Sequence, residues 1–589
     1  MNLTIILLAG LFLASQSLAQ AQNTDAPTPD TEPPAPLLRA DTTVVLVDVV
    51  ATEKDKPLAG LTRNQFHVYE GGREQRITFF EEKRPAPPGQ ARLPHLLPPH
   101  IYTNILDALP GTPVNVLLLD GLNTMGPDQM EVRRQMLAYL TKLDPGTTMA
   151  VFTLTSRLRM VQGFTSDLAQ LKHAVEKVNM QAQATPAGIN TPEDETPSVQ
   201  NPHASAQENA IIADAMKQFE AEIKAAQMDV RVRITLDALR QLAHYLDGLP
   251  GRKNLIWFSG SFPSQIASDL SGSNTSSGVR NYSNDMRETG DMLEAARVSV
   301  YPVDTRGLVA EPDMMSAPTG NMSEDTVAHI QQSQINSQAM SSPFLEQQTM
   351  QELAESTGGR AYFNTNGLKE AVADAVSQGS NYYTLLYVPQ DKNFHGEFRR
   401  IKVKVDAPNT KLAYRTGYFA DPQNKPSQHH EKQETLTAAA SMMGAPPTTE
   451  VLFKALVLPA DDPQFKNIKL ESKPVGELAT SLKGPVRRER VDLTIDPHGL
   501  SFKKADSGRC GITVEFAVLA YDSDGKRVNY VDKQFQIAFT PERLSYIMAN
   551  GYTARIFIDV PRDDVSLRLV VHDLNAQRTG SLEVPLGAE

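Results

Sequence analysis

The sequence predicts a doubly wound α/β domain set between all-β modules. Two observations predict it. Four largely apolar runs, at 113–120, 148–154, 254–258 and 298–303, are separated by stretches of helical composition. That is the pattern of a parallel sheet whose strands are covered on both faces. Before residue 85 and beyond residue 380 the pattern changes to β-branched or alternating segments punctuated by turn residues.

The elements follow in order. Met1 to Gln22 carries an apolar stretch, Ile5–Ala14, and then the small-residue pattern Ala19-x-Ala21. It predicts a signal peptide over 1–21, although its first residues lack Lys and Arg. The stretch is shorter than the roughly 20 apolar residues a bilayer span requires. The mature protein is therefore expected to be exported, periplasmic or extracellular, without a transmembrane anchor. Residues 22–38 are rich in Pro, Thr and Asp and read as a linker. Over 39–84, three strand-like segments and the turn Glu70-Gly71-Gly72 predict a small β module.

The α/β domain is placed at 100–379. Its apolar runs alternate with helices over 128–143, 167–178, 283–297 and 368–376. A long helical stretch follows residue 207 and stops at Gly248-Leu249-Pro250-Gly251. Residues 181–205 form a polar insertion without periodicity, and Leu158–Phe164 suits a short edge strand. Residues 380–420 are a β segment in which Ile401, Val403 and Val405 alternate with Arg400, Lys402 and Lys404. Neither this segment nor 39–84 is large enough to be stable alone, so the two are expected to pair. Residues 421–449 read as a linker. Residues 450–589 read as a β-sandwich of immunoglobulin-like outline, with a hairpin turn at Ser523-Asp524-Gly525-Lys526.

Composition narrows function by exclusion. The chain has 589 residues and 69 acidic against 57 basic side chains, a net charge of −12. That balance argues against a nucleic-acid binder. The single cysteine, Cys510, excludes an internal disulfide and a cysteine-rich zinc module. No P-loop, H-E-x-x-H, G-x-G-x-x-G or G-x-S-x-G elbow is present, so the chain is not expected to be an enzyme.

Three motifs stand in order: V-N-V-L-L-L-D-G-L-N-T (114–124), F-T-L-T-S-R-L-R-M-V-Q-G-F-T-S-D (152–167) and G-R-K-N-L-I-W-F-S-G-S-F-P (251–263). With L-T-R-N-Q-F-H-V-Y-E-G-G (61–72) and L-A-Y-R-T-G-Y-F (412–419), they resemble the von Willebrand factor A-related proteins abundant in Acidobacteria-type bacteria. The resemblance implies a Rossmann-like A-type domain. It also implies a divalent-cation adhesion site at the carboxyl edge of the sheet, built from Asp-x-Ser-x-Ser, a Thr and a second Asp. On this chain Asp120 matches the leading acid, Thr124 the second hydroxyl and Thr165 the Thr. Leu122 replaces the first Ser, and Ser259 stands where the second acid belongs. Asn123 offers a carbonyl oxygen and Asp304 a carboxylate from the neighbouring strand. Such a set is a weak Mg²⁺ site, since the cation wants hard, charged oxygen ligands. The competing reading is structural: Asp120 caps the following turn, and Arg306 pairs with Asp304.

The functional expectation is an exported adhesion or scaffold protein that binds a protein partner along the edge formed by Asp120, Thr124, Thr165 and Ser259, with a degenerate metal site. The alternatives are an envelope assembly protein acting through its β domains, and a hydrolase.

Overall fold

The computed structural model describes residues 44–587, apart from 55, 85–96, 106–113, 125, 142, 144–145, 179–204, 261, 263–264, 267–279, 307–342, 365–366, 421–437, 464–472, 480–483 and 505–508. The expected signal peptide (1–21), the linker 22–38, the polar insertion up to 204 and the first part of 421–449 lie outside the described residues. Among the described residues no helix is long and apolar enough to cross a membrane.

The described residues begin with β1 (Val45–Glu53), β2 (Lys56–Pro57), β3 (Phe66–Glu70), β4 (Arg73–Gln75) and β5 (Ile77–Lys83), followed by the short β6 (Ile101–Thr103). The α/β region contains β7 (Val114–Asp120), α1 (Gly126–Leu140), β8 (Met149–Leu154), β9 (Leu158–Thr165), α2 (Leu168–Lys177) and α3 (Ala206–Asp247). It continues with β10 (Lys253–Ser259), the small ribbon β11 (Gln265–Ile266) and β12 (Arg280–Asn281), α4 (Ser283–Ala295), β13 (Val298–Asp304), α5 (Pro343–Ser356) and α6 (Leu368–Ser380). Then come β14 (Tyr382–Tyr387), β15 (Phe398–Val405), β16 (Thr410–Ala413) and β17 (Gly417–Phe419). The last part holds β18 (Phe453–Pro459), β19 (Val486–Ile495), β20 (Lys503–Lys504), β21 (Cys510–Asp522), β22 (Arg527–Phe539), α7 (Pro541–Asn550), β23 (Tyr552–Pro561), β24 (Val565–Asp573) and β25 (Arg578–Leu586).

The central sheet has the order β13-β10-β7-β8-β9. The first four strands are parallel, and β9 runs antiparallel at the edge. Every residue of β7, β8, β10 and β13 is buried, because helices cover both faces. Strand side chains alternate between faces. Val114, Val116 and Leu118 therefore meet Leu239, Leu242, Leu293 and Leu353 from α3, α4 and α5. Leu117 and Leu119 meet Met136, Leu171 and Val372 from α1, α2 and α6.

The strands before and after this domain form one body. One sheet has the order β16-β1-β14-β5 with β2 on β1, and the other β17-β15-β3-β4. Val47 opposes Leu385, which opposes Phe80 on its other side, and Val403 opposes Val68. Val47, Val49, Phe66, Val68, Leu385, Ile401 and Val403 share a single core, so neither segment carries a complete hydrophobic centre of its own. Helix α6 feeds directly into β14, and the Arg297 guanidinium holds Asp48 of β1 through both carboxylate oxygens (2.8 and 2.9 Å).

The C-terminal region has two sheets around one core. One is β23-β19-β18-β6; in the other, β21 sits between β22 and the pair β20 and β24, with β25 outermost. Here two expected boundaries move. Residues 101–103, assigned from the sequence to the α/β domain at 100–379, are an edge strand of this C-terminal sheet, with Ala455 opposite Tyr102. Asn104 fixes them there: its amide donates to Thr448 O and Val451 O (both 2.8 Å) and its carbonyl accepts from Phe453 N (2.8 Å). Three residues are too few to show an alternation, so the sequence carries no sign of this pairing. Likewise 438–449, the second part of the expected linker 421–449, is packed onto the sandwich, with Ala440 and Ala445 buried. The Arg568 guanidinium, 0% exposed, donates to the carbonyls of Ala440, Ala445 and Pro446 and to Ser581 Oγ. Its strand also carries Ser566, His572 and Asp573, and nothing local announces what Arg568 grips.

Candidate functional site

The switch in strand order between β7 and β10 places the ends of three adjacent strands together: Asp120 on β7, Ser259 on β10 and Asp304 on β13. In open α/β sheets this carboxyl edge is where ligands bind. Asp120 is 1% exposed. Its Oδ1 accepts from the backbone N–H of Leu122 (3.1 Å) and Asn123 (3.0 Å). Its Oδ2 accepts from the Asn123 amide (2.9 Å), Trp257 Nε1 (3.2 Å) and Ser259 Oγ (2.8 Å). Burial pushes the Asp120 carboxyl up, while the hydrogen bonds from Asn123, Ser259 and Trp257 pull against that push.

The loop after β7 is tied down from every side. Thr124 Oγ1 accepts from Gly260 N (3.0 Å), and Gln129 of α1 donates to Gly121 O (3.1 Å) and Thr124 O (2.7 Å). The Asn123 amide also donates to Thr235 Oγ1 of α3 (2.9 Å), whose hydroxyl donates to Arg231 O one turn back (2.8 Å). Gly260 is needed for the approach: a Cβ there would lie 2.7 Å from Asn123 O and 3.3 Å from Thr124 Cα. Gly260→Ala is accordingly expected to destabilise the protein by about 1–3 kcal/mol through overpacking. Denaturant unfolding checks this, and an unchanged midpoint would show that the loop can retreat freely.

These residues do not suit Mg²⁺. A carboxylate has about four lone-pair directions, and five donors already point at the two oxygens of Asp120. The groups nearest it present hydrogens where a cation requires lone pairs. Asp304 is equally committed. It is 0% exposed, accepts from Arg306 Nε (3.0 Å), Nη2 (2.8 Å) and N (3.0 Å), and accepts from Gln347 of α5 (2.8 Å). Arg306 reaches Glu346 as well. Burial and the neighbouring Asp304 push the Asp128 carboxyl up, with Arg306 opposing them. Among the described residues no group of three or more His, Cys, Asp or Glu is arranged to hold a metal.

Two sequence expectations need correction. Thr165 is not at this site. It ends β9 opposite Met149, the first residue of β8, whereas Asp120 lies opposite Leu154, the last. Five residues along a strand separate the two ends by about 16 Å. The motif order is right but β9 runs antiparallel, so its end falls at the opposite edge of the sheet. There Thr165 Oγ1 accepts from Asp167 N (3.1 Å) in the turn that starts α2. The expected partner-binding edge of Asp120, Thr124, Thr165 and Ser259 fails for a second reason. Asp120, Thr124 and Ser259 are 1%, 7% and 0% exposed, too buried to meet another protein. Asp120, Asn123, Thr124 and Ser259 do form one cluster, with Asp304 on the next strand.

Sequence reasoning missed Thr235, Trp257 and Gln129. Thr235 and Gln129 lie within helices and outside any spacing tied to Asp120. Trp257 shows only as an apolar residue in a buried strand, with no sign that its indole N–H has a polar partner.

No family model matches this chain, and no curated protein does. Solved structures give distant likenesses. A von Willebrand factor type A protein from Catenulispora acidiphila is 11% identical, over 56% of this chain and 73% of its own, with a TM-score of 0.24. An aerotolerance-related membrane protein from Bacteroides fragilis is 11% identical over 45% of this chain and 99% of its own, with a TM-score of 0.23. BatB from Bacteroides thetaiotaomicron is 12% identical over 39% of this chain and 100% of its own, with a TM-score of 0.17. At these values the architecture rests on the sheet order itself.

Proposed function

We propose that this chain is an exported protein-interaction protein, an adhesion or scaffold component, whose central domain is of the A type and binds without a metal. The strand order with one antiparallel edge strand, helices on both faces and an acid at the switch point support the domain type. The two sheets around one core support an immunoglobulin-like C-terminal sandwich. The observation that carries the metal-free reading is the Asp120 carboxylate, buried and saturated by five donors. A catalytic carboxylate or an adhesion-site ligand must keep a lone pair for its substrate or cation. Asp120 instead locks the loop to the sheet.

Calorimetric titration with Mg²⁺ and Mn²⁺ is expected to give no saturable binding at millimolar concentrations. Proteins captured from an envelope extract on the immobilised chain are expected to stay bound in EDTA. Elution by EDTA with rebinding in Mg²⁺ would overturn the metal-free reading. Hydrolytic turnover abolished by Ser259→Ala would overturn the binding reading.

A further inference from the structure

A second polar cluster lies at the opposite, amino-terminal edge of the parallel sheet. There β1 of the flanking β body meets the starts of β10 and β13 around a small recess. Its charged lining is Arg252, Arg297 and Arg415 with Asp48 and Glu294. Arg297 is bound by Asp48, and Arg415 by Glu294. Arg252 has no carboxylate within ion-pair distance among the described residues. It is 1% exposed, and its Nη2 donates only to the neutral acceptors Tyr301 Oη (3.1 Å) and Gly358 O (2.8 Å). The Nε atoms of both Arg252 and Arg415 are buried without an acceptor.

Burial works against the Arg252 guanidinium, and Tyr301, Asp48 and Tyr382 hold its charge. A guanidinium cannot shed its proton inside a protein, and a buried charge without a counter-charge is strongly unfavourable. Three guanidinium groups line the recess against two carboxylates, with Asp48 acting on Arg252 and Asp291 acting on Arg415 from nearby. Lys253 adds another buried cation close by, 2% exposed and donating to Ala296 O (2.8 Å). Guanidinium groups with unused N–H donors beside a small concave space are the elements of an oxyanion site.

We propose that this recess binds a small oxyanion, the phosphate or carboxylate end of a ligand, held by the guanidinium groups of Arg252 and Arg415. The site bridges the β body and the α/β domain, so its ligand stabilises their junction. It is independent of the switch-point cluster and of metal binding.

The test is thermal unfolding of the whole protein in inorganic phosphate, acetate or chloride at constant ionic strength, paired with calorimetric titration of the same anions. Phosphate or acetate is expected to raise the transition saturably, by several degrees at concentrations well above Kd, and chloride is not. Response to phosphate alone assigns a phosphoryl ligand, and response to acetate alone a carboxylate ligand. Arg415→Gln, at the more exposed wall, is expected to weaken the binding at least about tenfold, the loss of one charge-assisted donor. Arg252→Lys is expected to weaken it further. If either variant fails to fold, the wild-type titration still decides. Absence of saturable binding by both anions, or binding of unchanged affinity in a folded Arg415→Gln, would overturn the proposal.

Discussion

Arg568→Met is expected to cost the C-terminal sandwich about 4 kcal/mol. The guanidinium is fully buried on β24 and donates to Ala440 O (2.6 Å), Ala445 O (2.8 Å), Pro446 O (2.8 Å) and Ser581 Oγ (2.9 Å). Replacing a buried ion pair by apolar groups can be neutral, because both partners leave together. Here only the donor leaves. Three backbone carbonyls remain in place, and each buried acceptor left unmet costs about 1–3 kcal/mol. Water entering as the segment lifts recovers part of that sum. Met preserves most of the aliphatic volume, so the loss reports the hydrogen bonds rather than a cavity. Burial pulls the Arg568 guanidinium down to about 10, which still leaves it charged at neutral pH.

The consequence extends beyond the sandwich. The segment gripped by Arg568 is also the bridge to the α/β domain: Gly444 O accepts from Met160 N of β9 (2.8 Å), and Gly444 N donates to Glu583 of β25 (2.5 Å). Releasing 438–446 therefore loosens one domain contact along with the local fold. Urea unfolding should show an earlier transition, and limited proteolysis should acquire a new cleavage site within 438–446. A variant with unchanged unfolding and no new site would show that water replaces the guanidinium at little cost. Arg568→Lys, with a single ammonium in place of a fork, is expected to fall between the two.

What was legible in the sequence depended on whether a residue's role is local. The strands β7, β8, β10 and β13 are readable because burial on both faces demands an unbroken apolar run. The N-cap of α2 is local too: Asp167 accepts from Ala169 N (2.8 Å) and Gln170 N (3.3 Å). Strand direction is not local. Nothing in G-F-T-S-D says that the preceding strand runs backwards, and that alone carries Thr165 to the far edge. Long-range grips were equally hidden. Asn104 reaches Val451, Thr235 reaches Asn123, and Arg568 reaches Ala440, each across more than 100 residues. Arg568 carried one usable sign. It is a charge between Leu567 and Leu569, and the polar alternation that Ser566 and Arg568 begin breaks off at Val570, where a solvated face would continue. The same limit applies to Asp120. Its placement after a buried strand was visible, but the number of donors converging on it depends on α3, β10 and the loop closing together.

Asp120→Ala is expected to destabilise the protein by about 3–5 kcal/mol, and the sign of this effect separates the two readings of the site. An unoccupied metal site holds oxygen ligands that repel one another, so deleting one carboxylate relieves strain and raises stability at the expense of function. A hydrogen-bond hub behaves in the opposite way. Without Asp120, the N–H groups of Leu122 and Asn123, the Asn123 amide and the Trp257 indole lose their acceptor in a space sealed from water, and each unmet donor is penalised. Asp120→Asn keeps the shape but turns one oxygen into a donor facing donors, so it should lose about half as much. The two variants also differ in pH response. Burial raises the Asp120 carboxyl in the folded state above its usual value. Between the two values the native protein retains a proton that the unfolded chain has released, so native stability falls as pH rises through that window and is level above it. Asn does not titrate. The stability gap between wild type and Asp120→Asn should therefore be widest at the acid end of the window and narrow as pH rises through it, as read by denaturant midpoints at a series of pH values. A gap that widened with pH would mean that the donors outweigh burial and hold the carboxylate below its usual value. A stabilised Asp120→Ala would restore the cation site.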